Sequence, residues 1–269
     1  MQGVCQMLSL EYLLEEAENN GLPILKKRGI IREYLQTIIL NSIYKHNLGK
    51  FMFFTGGTAL RFFYNLPRFS EDLDFDTARL DFNGFKSILK DIEKGLRKEG
   101  LSFKISSESR KNLFIAEINF IDLMKLYGIT DKRGLDLMLK VEVYRPKWRL
   151  RYESNVLSLY GYNFSSILLG KGNLISEKLC AFLKRKLGRY IYDLLFMLKK
   201  KFPFNRAVLA ANNVKGEPKK IILEYLNKLP KKELSYLANQ VKVFLFKEED
   251  VELILNAPRY AQKFLEDYE

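Results

Sequence analysis

Apolar positions along the chain fall into three successive patterns, which predict the order of the structural elements. The first part is helical, because apolar residues recur every three or four positions over 9–19 and 23–47. The middle part mixes strand-like and helical patterns: strands at 51–54, 72–76, 101–106, 112–120, 135–144 and, more weakly, 155–160, with helices at 58–65 and 82–99. From about residue 172 onward only helices are predicted: 173–187, 189–200, 205–212, 218–228, 231–243 and 248–267.

This order of elements predicts an α+β fold, with a mixed sheet flanked by helices and a helical C-terminal domain. We expect N-terminal helices over 1–50 that pack on the core, an α+β core over 51–160, and the helical domain over 161–269. The chain has 269 residues and is 47% apolar, which is enough to bury a sizeable core.

Charge adds a candidate partner to this picture. The formal net charge is +13, a balance that favours a polyanion such as a nucleic acid or a membrane surface. The surplus is concentrated in 178–220, where twelve Lys or Arg residues face two acids and leave a local charge of +10. This basic segment can be either a solvated helical surface or a patch that faces phosphates.

Composition also excludes several function classes. No run of eighteen apolar residues and no signal-peptide pattern is present, so we expect a cytoplasmic protein without a membrane segment. Cys5 and Cys180 are far apart and lack metal-ligand spacing, which argues against a disulfide framework or a zinc site. The only histidine, His46, lies near a predicted helix end, so chemistry must rest on carboxylates, lysines and metal ions.

The first candidate for chemistry is the run Asp72-Leu73-Asp74-Phe75. In a strand, Asp72 and Asp74 share one face while Leu73 and Phe75 face the core. The repulsion between the two carboxylates would be relieved by Mg²⁺, which takes one or two carboxylates together with waters and substrate phosphates. For a bare pattern of this kind, an exposed strand with solvated acids is the more common alternative.

Two neighbouring features favour the metal hypothesis. Gly56-Gly57-Thr58 follows a buried strand, and a glycine turn that leads into a helix brings backbone N–H groups close to phosphate. Glu142 lies on the polar face of the strand 135–144 and could add a third carboxylate. Together these elements suit an in-line nucleotidyl transfer, in which metal ions clamp the attacking and leaving oxygens and a carboxylate accepts the proton of the attacking hydroxyl.

Lys178 is a further candidate, because it falls within the apolar arc of the predicted helix 173–187. A buried cation needs an anionic partner, which Asp193 on the next helix or the phosphates of a nucleotide could supply. The alternative is a lysine whose ammonium reaches solvent from a domain boundary.

These residues resemble a known superfamily. Gly57-Thr58, a spacer of thirteen residues, Asp72-Leu73-Asp74 and the later Glu142 are similar to the signature of the DNA polymerase β-like nucleotidyltransferases. The closer resemblance is to the AbiEii-type toxin nucleotidyltransferases, through Gly-Gly-Thr-x-Leu at 56–60 and Arg-x-Ser-x-Asp-Leu-Asp-Phe at 68–75.

A second block downstream carries the same resemblance. It consists of Glu-Lys-Leu-x-Ala at 177–181 and Tyr-Asp-Leu at 192–194. Where the family usually has an Asp before the Tyr-Asp-Leu unit, this chain has Tyr190. The difference concerns an accessory position and leaves the core motif intact.

The resemblance implies a metal-dependent enzyme that moves an NMP from an NTP to an acceptor, with the tRNA 3′ end as the best candidate. It also implies a toxin of a toxin–antitoxin or phage-defence system, restrained by a partner antitoxin. The implied roles are as follows: Asp72, Asp74 and more weakly Glu142 hold Mg²⁺ or Mn²⁺; Gly56, Gly57, Thr58, Arg68 and Ser70 serve the nucleotide; Lys178 contacts the triphosphate; Asp193 orients Lys178 or the acceptor.

Two other functions remain open from the sequence. One is nucleotidylation of a protein hydroxyl, against which the basic segment 178–220 argues mildly, because protein acceptors do not require such a patch. The other is a non-catalytic nucleic-acid-binding protein on the same scaffold, against which the joint presence of Asp72, Asp74 and Lys178 argues.

Overall fold

The computed structural model describes residues 7–266 and 268, with the side chains of 135 and 136 left out. The described residues form two compact units. The first contains the chain up to Phe63, Phe69–Pro146 and Tyr152–Leu168, and the second contains Tyr64–Arg68, Lys147–Arg151 and the chain from Leu169 onward. Cys5 lies outside the described residues, and Cys180 is a buried free thiol.

The first unit is an α+β structure, which confirms the predicted fold class. Its helices are α1 (Leu10–Asn19), α2 (Lys27–Lys45), α3 (Gly56–Tyr64), α4 (Phe82–Lys98) and α5 (Leu123–Leu126). Its strands are β1 (Phe53–Thr55), β2 (Leu73–Asp76), β3 (Phe103–Arg110), β4 (Leu113–Ile121), β5 (Leu135–Tyr144), β6 (Tyr152–Leu159) and β7 (Tyr162–Leu169).

The seven strands form one mixed sheet in the order β3-β4-β5-β2-β1-β7-β6. Strand β2 lies near the middle, antiparallel to β1 and parallel to β5. The register sets Asp74 opposite Thr55 on one side and opposite Glu142 on the other. The strand that carries the predicted carboxylates is therefore held from both sides by backbone hydrogen bonds.

Helix α2 is buried along most of its length and packs against α4. Gly95 of α4 allows the close approach, because a Cβ there would lie 2.4 Å from Oγ of Ser42. Several polar residues of α2 are nevertheless fully or almost fully buried, including Glu33 and Gln36. Buried polar groups need partners, and both residues find theirs near the candidate site described below.

The second unit is helical. Its helices are α6 (Lys171–Lys184), α7 (Gly188–Lys199), α8 (Arg206–Ala211), α9 (Pro218–Asn227), α10 (Lys231–Lys242), α11 (Glu252–Leu255) and α12 (Ala257–Glu266). Helix α7 is its centre, since it packs against α6, α10 and α12 and buries eight of its twelve residues. Among the described residues, every helix is too short or too polar to span a lipid bilayer.

The structure differs locally from the sequence prediction, for example at the C-terminal end and after β6. The single helix expected over 248–267 is wrong, because that stretch consists of a 3₁₀ turn (Glu248–Val251), α11 and α12. Strand β7 was not predicted; it pairs in parallel with β1 at Phe54 and Leu168. Tyr160 and Gly161, both with positive φ (48° and 76°), form the tight turn between β6 and β7.

Candidate functional site

The acidic residues of the Asp-x-Asp run follow the alternation that the sequence predicts. Leu73 and Phe75 are buried in the core, while Asp74, on the other face of β2, and Asp72, immediately before the strand, are half-buried. Asp76, the next residue on the acidic face, is 3% exposed. Sequence reasoning passed over Asp76, although the continued period of two from Asp72 and Asp74 could have indicated it.

The glycine turn lies directly against one of these carboxylates. Gly56 has φ +77°, and a Cβ at this position would lie 2.1 Å from Oδ2 of Asp74. Only glycine fits, since a side chain would meet both a backbone conformation that L-residues avoid and the Asp74 carboxylate. Helix α3 begins at Gly56, so its N-terminal N–H groups and positive dipole end lie beside Asp74. This arrangement can receive a metal-bound anion.

Thr58 braces the same region. It is fully buried, and its hydroxyl donates a hydrogen bond to the backbone carbonyl of Asp72 at 2.5 Å. The side chain therefore fixes the Asp-x-Asp segment to α3. The phosphate contact predicted for Gly56, Gly57 and Thr58 would come from the backbone N–H groups of the first helical turn.

Replacement of Gly56 with Ala should lower any activity that depends on Asp74 by about 10- to 100-fold, the scale of loss expected for a misplaced reacting group. The added methyl group must displace the Asp74 carboxylate. Gly100→Ala is a matched control, because Gly100 has φ +72° and nothing within 4 Å of its added Cβ. Both variants should lose about 1–2 kcal/mol of stability through backbone strain. Equal activity of the two folded variants would contradict the contact with Asp74.

Glu142 is positioned by strand register rather than by a shared metal cage. It lies opposite Asp74 in the parallel β2–β5 pair, and Nζ of Lys140 is 3.7 Å from its Oε1. Within the described residues, no group of three or more Asp, Glu, His or Cys side chains is arranged to hold a metal ion. The pair Asp72 and Asp74 still fits Mg²⁺, because this ion needs only one or two carboxylates when phosphates and waters complete its shell.

Buried charges also fix α3 from the side of α2. Nε of Arg61 donates to Oε1 of Glu33 at 2.8 Å, and both side chains are at least nine-tenths buried. The burial raises the pKa of the Glu33 carboxyl, although the charge and hydrogen bond of Arg61 oppose this shift. The sequence analysis did not identify this pair. The sequence indicated it only through one charged residue within the apolar face of each helix.

In the second unit, Lys178, Asp193 and Arg68 form a buried charge cluster. Arg68 donates from Nε to Oδ1 and from Nη2 to Oδ2 of Asp193, both at 2.7 Å, while Nζ of Lys178 lies 2.9 Å from Oδ2. Asp193 is fully buried, and Arg68 and Lys178 are 3% and 12% exposed. Burial alone would raise the pKa of Asp193, but the charges of Arg68 and Lys178 outweigh it and hold this pKa below its usual value.

This cluster contains three residues that the sequence analysis proposed for the site: Arg68, Lys178 and Asp193. Asp193 is an anionic partner for Lys178, as expected for a lysine on an apolar helix face. Arg68 braces the chain through Asp193, and its neighbour Pro67 accepts a backbone hydrogen bond from Phe246 at 3.0 Å. Ser70 belongs to the first unit, where its backbone carbonyl accepts a hydrogen bond from the buried Gln36 at 3.0 Å.

Nine of the twelve cations in the basic segment 178–220 are exposed: Lys184, Arg185, Lys186, Lys199, Lys200, Lys201, Arg206, Lys215 and Lys220. Some of them are paired within the helical unit, such as Lys186 with Glu233 and Arg206 with Glu217, both at 3.0 Å. The consecutive run 199–201 at the end of α7 forms no ion pair within the described part of the chain. This run therefore presents three consecutive exposed cations to an anionic ligand.

Comparison with known proteins shows which family the sequence matches. The sequence matches the family model described as nucleotidyl transferase AbiEii toxin, type IV TA system, over residues 38–262. The structure is similar to JHP933 from Helicobacter pylori (20% identity, 90% of this chain and 93% of that chain, TM-score 0.57). It is also similar to the nucleotidyltransferase toxin MenT4 from Mycobacterium tuberculosis (16% identity, 97% and 91% of the two chains, TM-score 0.61). At these identities the two structures show a shared fold, and no curated protein matches the sequence.

Proposed function

Because this chain belongs to the AbiEii nucleotidyltransferase toxin family of type IV toxin–antitoxin systems, we propose that it transfers an NMP from an NTP to an RNA acceptor. The tRNA 3′ end is the proposed acceptor, and the cytoplasm, where NTPs and tRNA occur together, is the proposed location. An antitoxin protein is the partner that such a system implies. The observation that carries the proposal is the contact between Gly56 at the N-terminus of α3 and the carboxylate of Asp74.

The proposed reaction is an in-line displacement at the α-phosphorus of the NTP. An acceptor hydroxyl oxygen forms the new P–O bond, the bond to the β-phosphate oxygen breaks, and pyrophosphate leaves. Asp72 and Asp74 would hold Mg²⁺ or Mn²⁺, which neutralises charge on the phosphates. Glu142, adjacent to Asp74 in the strand register, is the candidate third carboxylate and the candidate acceptor of the hydroxyl proton.

The remaining residues bind and position the nucleotide in this proposal. The first N–H groups of α3, from Gly56, Gly57 and Thr58, bind phosphate oxygens. Lys178 contributes its ammonium to the triphosphate, and Asp193 orients that ammonium through a 2.9 Å contact. Arg68 holds Asp193 in place, so its effect on the nucleotide is indirect.

The decisive test incubates the purified protein with Mg²⁺, each labelled NTP in turn, and total tRNA. Transfer of label to RNA is the expected result, and the preferred NTP identifies the base that the site selects. Label on the protein itself, or on an added protein acceptor, would replace the RNA proposal with nucleotidylation of a protein hydroxyl. RNA binding without transfer of any NTP would favour a non-catalytic nucleic-acid-binding role.

The exposed run 199–201 gives a prediction about RNA affinity. Replacing Lys199, Lys200 and Lys201 with Gln should weaken RNA binding. It should also make the logarithm of the association constant fall less steeply with the logarithm of the salt concentration, by about 0.7 for each lost phosphate contact. The charge-matched control replaces three exposed lysines of α4, Lys86, Lys90 and Lys98. Filter binding at several salt concentrations measures both. An equal fall in slope for both variants would show that net charge, rather than this surface, governs RNA binding.

A further inference from the structure

One face of α2 is fixed against the segment that leads into Asp72. Nε2 of Gln36 donates to the backbone carbonyls of Ser70 and Glu71 at 3.0 and 3.1 Å. About two turns earlier, Gly29 packs under the ring of Phe69, where an added Cβ would lie 2.7–2.8 Å from the ring carbons. Both α2 residues precede residue 38, at which the family match begins. This helix face therefore belongs to the site in space but not to the matched motifs.

Arg32 lies on the same face, one turn before Gln36. Its side chain is 11% exposed, and its Nη1 is 3.3 Å from Oε1 of Glu71, a side chain that is 36% exposed. Nε of Arg32 is buried and has no hydrogen-bond partner among the described residues. A guanidinium carries five N–H donors in a fixed plane, so a single long ion pair leaves most of its hydrogen-bonding capacity unused. Buried donors of this kind require an acceptor.

The charges around Arg32 indicate what that acceptor is. The pKa of Arg32 is lowered, mainly because burial disfavours the charged guanidinium. The carboxylates of Glu71 and Asp72 oppose this shift, while the positive charge of Arg28 adds to it. Arginine remains charged at neutral pH in spite of such shifts. A permanent cation with spare donors thus lies within electrostatic reach of Asp72, the first of the two proposed metal ligands.

We propose that Arg32 binds phosphate oxygens of the nucleotide at the Asp72 end of the site. The inference rests on the proposed nucleotidyl transfer, because that reaction brings a triphosphate to Asp72 and Asp74. The planar guanidinium can donate two parallel hydrogen bonds to one phosphate, a geometry that the ammonium of a lysine cannot reproduce. In the alternative, Arg32 is structural and serves only to hold Glu71.

Equilibrium binding of each NTP in the presence of Mg²⁺ separates the two roles. Arg32→Gln should weaken NTP binding by about tenfold or more, the loss expected for a charge-assisted hydrogen bond. Glu71→Gln removes the ion-pair partner but keeps Arg32, so it should bind NTP as tightly as the wild type or more tightly. Arg97→Gln is the charge control, since Arg97 is exposed on α4 and pairs with Glu93. Arg32→Lys should lie between the wild type and Arg32→Gln.

Thermal unfolding of each variant shows whether a loss of binding is a loss of fold. Equal weakening by Arg32→Gln and Glu71→Gln, or unchanged binding by folded Arg32→Gln, would overturn the inference and leave Arg32 a structural residue. Should Arg32→Gln fail to fold, Arg32→Lys and Glu71→Gln still decide between the roles. A wild type that binds no NTP with Mg²⁺ would overturn the proposed function and this inference together.

Discussion

Asp74→Asn should lower nucleotidyl transfer by about a thousandfold while leaving the fold intact. Asn keeps the shape of the side chain next to Gly56 but removes the negative charge that a metal ion requires. Metal-ion catalysis stabilises a transition state by several kcal/mol, and each ~1.4 kcal/mol is a tenfold change in rate. Single-turnover transfer of label from NTP to RNA measures the effect directly.

The control for this variant is Asp91→Asn. Asp91 is an acid on α4 that pairs with Lys94 at 3.0 Å, and its side chain is 39% exposed. It should keep wild-type transfer and a wild-type unfolding temperature. Retention of more than a tenth of the activity by Asp74→Asn would mean that the charge of Asp74 is not needed, and the proposed metal site would have to be abandoned.

Asp193→Asn should reduce the free energy of unfolding by about 3–5 kcal/mol, the usual cost of breaking a buried ion pair from one side. The variant leaves the cations of Arg68 and Lys178 in a site where Asp193 supplied the compensating charge. Urea unfolding at neutral pH measures the loss. The control is Asp250→Asn, which alters one hydrogen bond from Tyr192 at 3.2 Å in the same unit and should cost about 1 kcal/mol.

The pH dependence of stability provides a second readout for Asp193. Its pKa in the folded chain is lowered by Arg68 and Lys178, whereas an Asp in the unfolded chain titrates near about 3.9. The stabilisation is therefore fully present above that unfolded pKa and is lost as the pH falls towards the folded pKa. Below about pH 4, the wild type should lose stability more steeply than Asp193→Asn. If the stabilities of the wild type and Asp193→Asn changed in parallel with pH, the pKa of Asp193 would be the same in the folded and unfolded chains, against this prediction.

Local pattern was sufficient to predict the carboxylate strand. The alternation around Leu73 and Phe75 depends only on residues two apart, and the structure buries both while leaving Asp72 and Asp74 half-exposed. The same reasoning predicted most helices to within a few residues. The glycine turn was identifiable because a Gly-Gly pair between an apolar run and a helical pattern has few other uses.

Contacts between distant residues could not be predicted in this way. Gln36 reaches carbonyls 34 and 35 residues further along the chain, and nothing in the pattern around a helical Gln specifies them. The need of Lys178 for an anion was predictable from its apolar helix face, but the presence of Arg68 on the same carboxylate was not. Strand β7 was not predicted, because its pairing with β1 joins Phe54 and Leu168, which are more than a hundred residues apart.

The pairing of Arg68 with Asp193 also bears on how the protein is made. The two residues are 125 positions apart, and at a synthesis rate of roughly 5–20 residues per second Arg68 emerges about 6–25 seconds before Asp193. During that time the carboxylate of Asp193 is not available to the guanidinium of Arg68. The helical unit can close around these charges only after Asp193 has left the ribosome. If Asp193 orients Lys178 for the nucleotide as proposed, transfer activity cannot begin on the nascent chain before that moment.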